Sequence, residues 1–246
     1  MRLLLTMATS DLGRSVADLL APDHELVLTD LSQHAEGHTD VIASDLGDDE
    51  STDALVKGID AIVHVGHGGH FASASDLLDI LTRGTYNLLM AARSAGVGRF
   101  INLSTLRLLA EYPEHLTVTE NWRPTPGVEP VILSSHLCEY VCREFGREGG
   151  IKIANLRLGF PIVDGDTAAA AASGESAALA GDDLATAINA ALTADLGLNA
   201  QSTDAPHPVS FRTVHVQSPI PNGRFLLKGA ASILGLWGLR EGQGVA

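Results

Sequence analysis

The first thirty residues constrain this chain more than any other stretch. Leu3-Leu4-Leu5 is a short, wholly apolar run of the kind that a parallel sheet buries on both faces. Residues 6–13 read as a turn, and Ser10-Asp11 supplies a helix-capping signal. Leu12, Val16, Leu19 and Leu20 recur at helical spacing until Ala21-Pro22-Asp23 stops them. Residues 24–30 form a second strand that ends in the carboxylate of Asp30. Strand, tight turn, helix and strand leave few architectures open, because parallel strands need a crossover helix between them.

The alternation continues down the chain. Residues 41–46 read as a strand ending in Asp45-Leu46, 48–57 as a helix, and 58–66 as a turn and a fourth buried strand. A long helix over 77–94, a turn and fifth strand over 96–105, a helix near 134–145 and a sixth strand over 151–159 follow. The fold class expected is α/β, a Rossmann-like doubly wound parallel sheet with its ligand crevice at the carboxyl ends of the strands. Past Pro161 the composition shifts to an Ala/Ser/Gly-rich stretch, then a helix over 181–192, a strand over 211–216 and a helix over 228–236. The expected division is a dinucleotide-binding domain over 1–162 and a small C-terminal substrate-side lobe over 163–246, packed on it and not independent.

In this opening unit a pyrophosphate sits at the helix N-terminus, where free N–H groups and the helix dipole favour negative charge. The acid ending the second strand can accept hydrogen bonds from both ribose hydroxyls and would repel a 2′-phosphate. Asp30 therefore points to NAD, with NADP disfavoured. Asp45 and Leu46 end the next strand, and the bland role for Asp45 is to cap the following helix.

A formal charge of −14 argues against nucleic acid and against anionic membrane surfaces as partners. No apolar run is long enough to span a bilayer, so the cytoplasm is the expected location. Cys138 and Cys142, four apart on one helix face, are expected to be reduced thiols. His64, His67 and His70 recur every third residue, but no Asp, Glu or Cys lies among them, so no metal site is expected. Gly66-His67 instead reads as part of a glycine-rich loop at the cofactor edge.

Four passages resemble the extended short-chain dehydrogenases of the NAD-dependent epimerase/dehydratase type. That family carries T-G-x-x-G-x-x-G after its first strand. Here the passage is Thr6-Met7-Ala8-Thr9-Ser10-Asp11-Leu12-Gly13, with Met7 and Ser10 in the first two glycine positions and only Gly13 kept. Gly58-Ile59-Asp60-Ala61-Ile62-Val63-His64 is similar to its G-x-D-x-V-x-H segment, and strands ending like Asp45-Leu46 lie beside the adenine. Gly84 to Thr105 resembles G-T-x-N-L-L-x-A-A-x-x-A-G-V-x-R-F-x-x-x-S-S/T almost residue for residue, which puts Thr105 in the catalytic Ser/Thr position. The catalytic helix of the family opens P-Y-x-x-S-K-x-x-x-E. With Pro130, Ser134 and Glu139 in register, Val131 occupies the Tyr position and Ser135 the Lys position.

The resemblance implies an NAD cofactor held by Met7, Ser10, Asp11, Leu12, Gly13, Asp30, Asp45, Leu46, Gly66 and His67, a sugar or nucleotide-sugar ligand, and a homodimer through helices near 77–94 and 134–145. It also implies that the usual Tyr/Lys proton relay is missing: the chain has three lysines, Lys57, Lys152 and Lys228, none near this helix. Two functions follow. One is an oxidoreductase or epimerase on a sugar-type substrate that uses other residues, among which His67, His136, Tyr112 and Tyr140 are available for proton transfer. The other is a catalytically inactive nucleotide-sensing or structural protein that acts through a partner.

Overall fold

The computed structural model describes residues 1–68, 73–197, 210–221, 223–236 and 238. Its centre is a seven-stranded sheet in the order β3-β2-β1-β4-β5-β6-β9, with every neighbouring pair parallel. The strands are β1 (Arg2–Leu5), β2 (Glu25–Asp30), β3 (Val41–Ala43), β4 (Ala61–Val65), β5 (Arg99–Thr105), β6 (Lys152–Leu158) and β9 (Phe211–Val216). Strand order reverses between β1 and β4, so the crevice of a doubly wound fold opens at their carboxyl ends.

Helices expected from the sequence follow β1 and β3 and precede β5 and β6. Helix α1 (Asp11–Leu20) is capped by Ser10, whose hydroxyl accepts from the Gly13 amide, and it buries Gly13, Val16 and Leu20 on β1. Helix α3 (Glu50–Leu55) is capped by Asp49, and α6 (Pro130–Glu148) by Glu129, which accepts from the Val131 and Ile132 amides. Proline at the first position of α6 has no N–H to lose there.

The expected helix over 77–94 is three pieces. Helix α4 (Ala74–Asp79) runs into a π-helical turn (Ile80–Gly84) and then into α5 (Thr85–Ala95). Period alone could not show this: a Cβ on Gly84 would lie 2.7 Å from Ile80 Cδ1, so the widened turn packs around a missing side chain. The strand expected over 41–46 ends at Ala43, because Leu46 turns into the left-handed region at φ +48°. The connection after Asp30 holds a helical turn, α2 (Ser32–Ala35).

Residues past Pro161 do not form a separate layer. They add β9 to the edge of the main sheet, and α8 (Gly181–Thr193) and α9 (Lys228–Leu234) cover its face on the side of α1. The Ala-rich stretch holds α7 (Thr167–Ala172), and β7 (Ile162–Val163) pairs with β8 (Leu179–Ala180) as a small second sheet. His70, noted in the sequence, lies outside the described residues, as does Trp237. No helix among the described residues is long and apolar enough to cross a membrane.

The two faces of the sheet differ in chemistry. Toward α1 and α8 it presents Leu3, Leu5, Val63, Leu103 and Leu156, all fully buried. Toward α5 and α6 it carries a polar row. Thr6 Oγ1 lies 2.8 Å from His64 Nδ1, His64 Nε2 lies 3.0 Å from Thr85 Oγ1, Asn102 donates to Asn155 at 2.7 Å, and Asn155 donates to Thr213 at 3.4 Å. The Cys138 thiol reaches Asn102 at 3.4 Å. Gly66 fits over this row, since a Cβ there would meet Asn102 Oδ1 at 2.0 Å.

Candidate functional site

The candidate site is built at the switch between β1 and β4. A cavity of about 460 Å³ opens there, lined by Ser10, Asp11 and Leu12 of the first turn of α1, His67 and Gly68 after β4, Arg107 after β5, and Gly159 after β6. A second cavity of about 320 Å³ lies beyond β2 and β3, lined by Leu31, Ser32, Asp45, Asp79 and Arg83 among others. The pair flanks the tip of β2, which is how an extended ligand with two ends would be accommodated.

The turn between β1 and α1 is held by the side chains that stand in it. Met7 sits at φ +49°, a left-handed conformation that costs an L side chain roughly 1–2 kcal/mol. Its side chain is buried in the core, which offsets that strain. Ser10 donates to the Met7 carbonyl at 2.7 Å and accepts from the Gly13 amide at 3.0 Å. The hydroxyl closes the turn and occupies one of the amides that an incoming anion would otherwise take. Gly13 is indispensable, because a Cβ there would stand 2.1 Å from the Met7 carbonyl oxygen.

Asp30 is 5% exposed and already engaged. Its Oδ2 accepts from the Thr9 amide at 2.8 Å and the Thr9 hydroxyl at 2.7 Å, while Oδ1 accepts from the Leu31 amide at 2.8 Å. The acid at the end of β2 thus ties the turn to the sheet, and Oδ1 keeps spare acceptor capacity. Asp45 accepts from the Ser32 amide at 3.0 Å and lines the second cavity. Leu46 is buried, and its carbonyl accepts from Asn87 at 3.0 Å. Met7, Gly13 and Leu46 therefore shape the crevice from below, whereas Ser10, Asp11, Leu12 and His67 face it.

Helix α6 is anchored where it passes the site. Glu139 and Arg157 form a buried bidentate pair at 2.8 and 2.9 Å, and Ser104 donates to Glu139 at 2.6 Å. Burial would raise the Glu139 pKa, but the Arg157 charge outweighs it and leaves the carboxyl below its ordinary range. On the crevice side, Val131 is half-buried and Ser135 fully buried. Ser135 Oγ donates to the Val131 carbonyl at 2.9 Å and lies 3.5 Å from His67 Nδ1. Burial, reinforced by the Arg107 charge, pushes the His67 pKa down to about 4, so its imidazole is neutral at physiological pH.

The structure separates the four residues the sequence offered for proton transfer. His67 alone of them lines the crevice. The Tyr112 hydroxyl is spent on the Arg123 carbonyl at 2.8 Å, and His136 and Tyr140 stack edge-to-face on the opposite flank of α6. Thr105 is buried, and its hydroxyl accepts from the Arg107 amide at 3.2 Å, capping a 3₁₀ turn (Leu106–Leu109). That cap aims Arg107, a residue sequence reasoning passed over. Its guanidinium lies 5.1 Å over the Phe160 ring and forms no ion pair among the described residues. A lone Arg between Leu106 and Leu108, just past a strand end, was the available signal.

A parallel sheet reversing at β1/β4, a crevice at a helix N-terminus and an acid closing β2 define a protein of the Rossmann-like dinucleotide-fold class. The chain belongs to the NAD dependent epimerase/dehydratase family, whose profile matches residues 8–173. It is 30% identical over 162 residues to the uronate dehydrogenase of Pseudomonas syringae pv. tomato, covering 64% of this chain and 58% of that protein. It is 34% identical over 162 residues to the uronate dehydrogenase of Pseudomonas putida, covering 64% and 60%. The aligned part thus spans about three-fifths of the length of these relatives. The crystal structure of uronate dehydrogenase from Agrobacterium tumefaciens superposes with a TM-score of 0.74 at 25% identity, covering 95% of this chain and 82% of that one.

Proposed function

We propose that the crevice binds NAD together with a sugar-acid ligand, and that proton transfer in it runs through His67 in place of the family's Tyr and Lys. The observation that carries this reading is the pairing of His67 and Arg107 in one cavity beside the first turn of α1. A uronate, the substrate class named for the relatives, carries a carboxylate. Arg107 is a charged donor in the crevice with no acid of its own, which suits it to hold such a group. The NAD site has support in the Gly13 close approach, the free Asp11 and Leu12 amides at the start of α1, and the cavity beyond Asp30 and Asp45. NAD, when bound, supplies the two-electron acceptor. The protein's own part is to fix the carboxylate on Arg107, keep His67 neutral and receive the hydroxyl proton on its ring. Segments after Pro161, through Ile162 and Asp164, supply the substrate-side wall.

A second reading, a dinucleotide-responsive binding protein without turnover, is favoured by Val131 and Ser135, neither of which can exchange a proton near neutrality. The deciding experiment measures NADH formation with a panel of uronates, alongside equilibrium NAD binding. The enzyme reading expects turnover that His67→Gln reduces by about 10²-fold or more, with Thr105→Val reducing it less. NAD binding with no turnover on any uronate would leave the binding reading. Turnover that survives both substitutions would show the chemistry to lie elsewhere.

The same reading includes a homodimer through α5 and α6. Tyr86 and Tyr140 are 50% and 44% exposed along a groove with Met90, Val141 and Phe145, more apolar surface than an isolated helix pair needs. Sedimentation at micromolar concentration is expected to give twice the monomer mass.

A further inference from the structure

We propose that a second pocket, on the flank of α6 turned away from the crevice, binds a small oxyanion, a carboxylate or phosphate group borne by a metabolite with a flat apolar part. The pocket has a cavity of about 370 Å³ between α6, the loop carrying Trp122 and Arg123, and the edge strands β6 and β9. Three nitrogen groups that have no partner among the described residues line it. Arg157 is 5% exposed, and its Nε and Nη2 are taken by Glu139, but its buried Nη1 has no hydrogen-bond partner. His136 Nδ1 is likewise buried and unpartnered. Arg123 forms no ion pair among the described residues.

A buried donor left unsatisfied is costly, and Arg157 Nη1, beside the Arg123 guanidinium and an imidazole that can take the donor tautomer, makes a receptor for an acceptor group. The nearby carboxylates do not fill that role. Glu139 is fully used by Arg157 and Ser104, and Glu120 Oε1 accepts from the Gly229 amide at 2.7 Å. Arg143, at the rim, is already paired with Glu144 and stacked on Tyr140. In a chain of net charge −14, a pocket that brings the Arg123 and Arg157 guanidiniums together with an imidazole is distinctive. Trp122 and Phe211 give it aromatic walls, so a ligand with a ring beside its anionic group fits better than a bare ion. The pocket shares α6 with Val131 and Ser135, so its occupant is placed to stiffen the helix that borders the crevice.

The test uses the full chain with Trp237→Phe, which leaves Trp122 as the sole tryptophan reporter. Fluorescence is titrated with phenyl phosphate, with benzoate and with inorganic phosphate, at constant ionic strength set by sodium chloride. Saturable quenching is expected, strongest for phenyl phosphate. Arg123→Gln combined with His136→Ala should weaken it by about tenfold or more, while Arg107→Gln in the crevice leaves it unchanged. Both altered pocket side chains are partly exposed and outside the core, so the fold survives their loss. Absence of saturable quenching with all three probes would overturn the proposal. So would quenching abolished by Arg107→Gln but not by the double substitution, which would place the anion in the crevice.

Discussion

Two regions of this molecule differ in sequence from the motifs the chain otherwise resembles, and they are held in different ways. The turn between β1 and α1 carries Met7 and Ser10 where the resembled motif has glycines: Met7 holds φ +49°, and the Ser10 hydroxyl bridges the turn. Helix α6, capped by Glu129 and pinned by the Glu139–Arg157 pair, carries Val131 and Ser135 where the resembled motif has Tyr and Lys. A backbone conformation can be rebuilt from other side chains, because strain of a kcal/mol or two is offset by burial. The acid–base chemistry of a phenol or an ammonium cannot be rebuilt in that way, because an apolar side chain or a hydroxyl exchanges no proton near neutrality.

The largest effect that would sharpen this contrast is Gly13→Ala. A Cβ facing the Met7 carbonyl at 2.1 Å forces α1 off the sheet, and we expect a loss of roughly 4 kcal/mol in urea unfolding. A loss under about 1 kcal/mol would mean that the turn is soft and its conformation not really conserved.

Next comes acid. Burial, with the Arg157 charge behind it, pushes the His215 pKa down to about 3, and burial pushes that of His67 down to about 4. Both are protonated more readily in the unfolded chain, so their contribution is complete above about pH 6.5 and is lost as pH falls toward the folded values. Lowering pH from about 6.5 to 4 should cost about 3 kcal/mol through His215 alone. Glu139, depressed by its arginine, adds a further loss below the ordinary carboxylate range. The support of α6 is therefore acid-labile, and His215→Phe should flatten the upper part of the profile.

How far the sequence could be read follows the same divide. Leu3-Leu4-Leu5, the spacing of Leu12, Val16 and Leu20, and the Gly84–Thr105 passage were enough for the sheet, its helices and the family, because periodicity and caps are local properties. The break at Ile80–Gly84 was not legible, since it lies where Gly84 packs against Ile80 and against Leu46, 38 residues away in sequence. Nor was the engagement of Asp30 by Thr9, or the meeting of His67 with Ser135 across 68 positions. Each is a distance between side chains brought together by the fold, and no one-dimensional pattern encodes it.

Asp30→Ala tests the turn from its other end. Removing three hydrogen bonds to a buried carboxylate should cost about 2 kcal/mol of stability, and NAD binding should weaken by 1–3 kcal/mol, about as for a lost charged hydrogen bond. Lost stability with unchanged NAD affinity would make Asp30 a tether only. Smallest of all is Ser10→Gly. Exchanging one good cap for another costs only about a few tenths of a kcal/mol, but it releases the Gly13 amide. NAD affinity, measured by calorimetry, should rise; a fall would show that the hydroxyl itself contacts the ligand.

The row of polar groups under α6 has a consequence for how the chain finds its fold. Leucines and valines can exchange neighbours at little cost, so a purely oily β-sheet tolerates strands that slide past one another. Thr6, His64, Asn102, Asn155 and Thr213 do not allow this, since each has its partner at one position only. A strand displaced by two residues would restore the inward pattern of side chains and still strand several donors in a dry interior. These residues act as alignment pins: they contribute little to the depth of the native state and much to the height of its competitors.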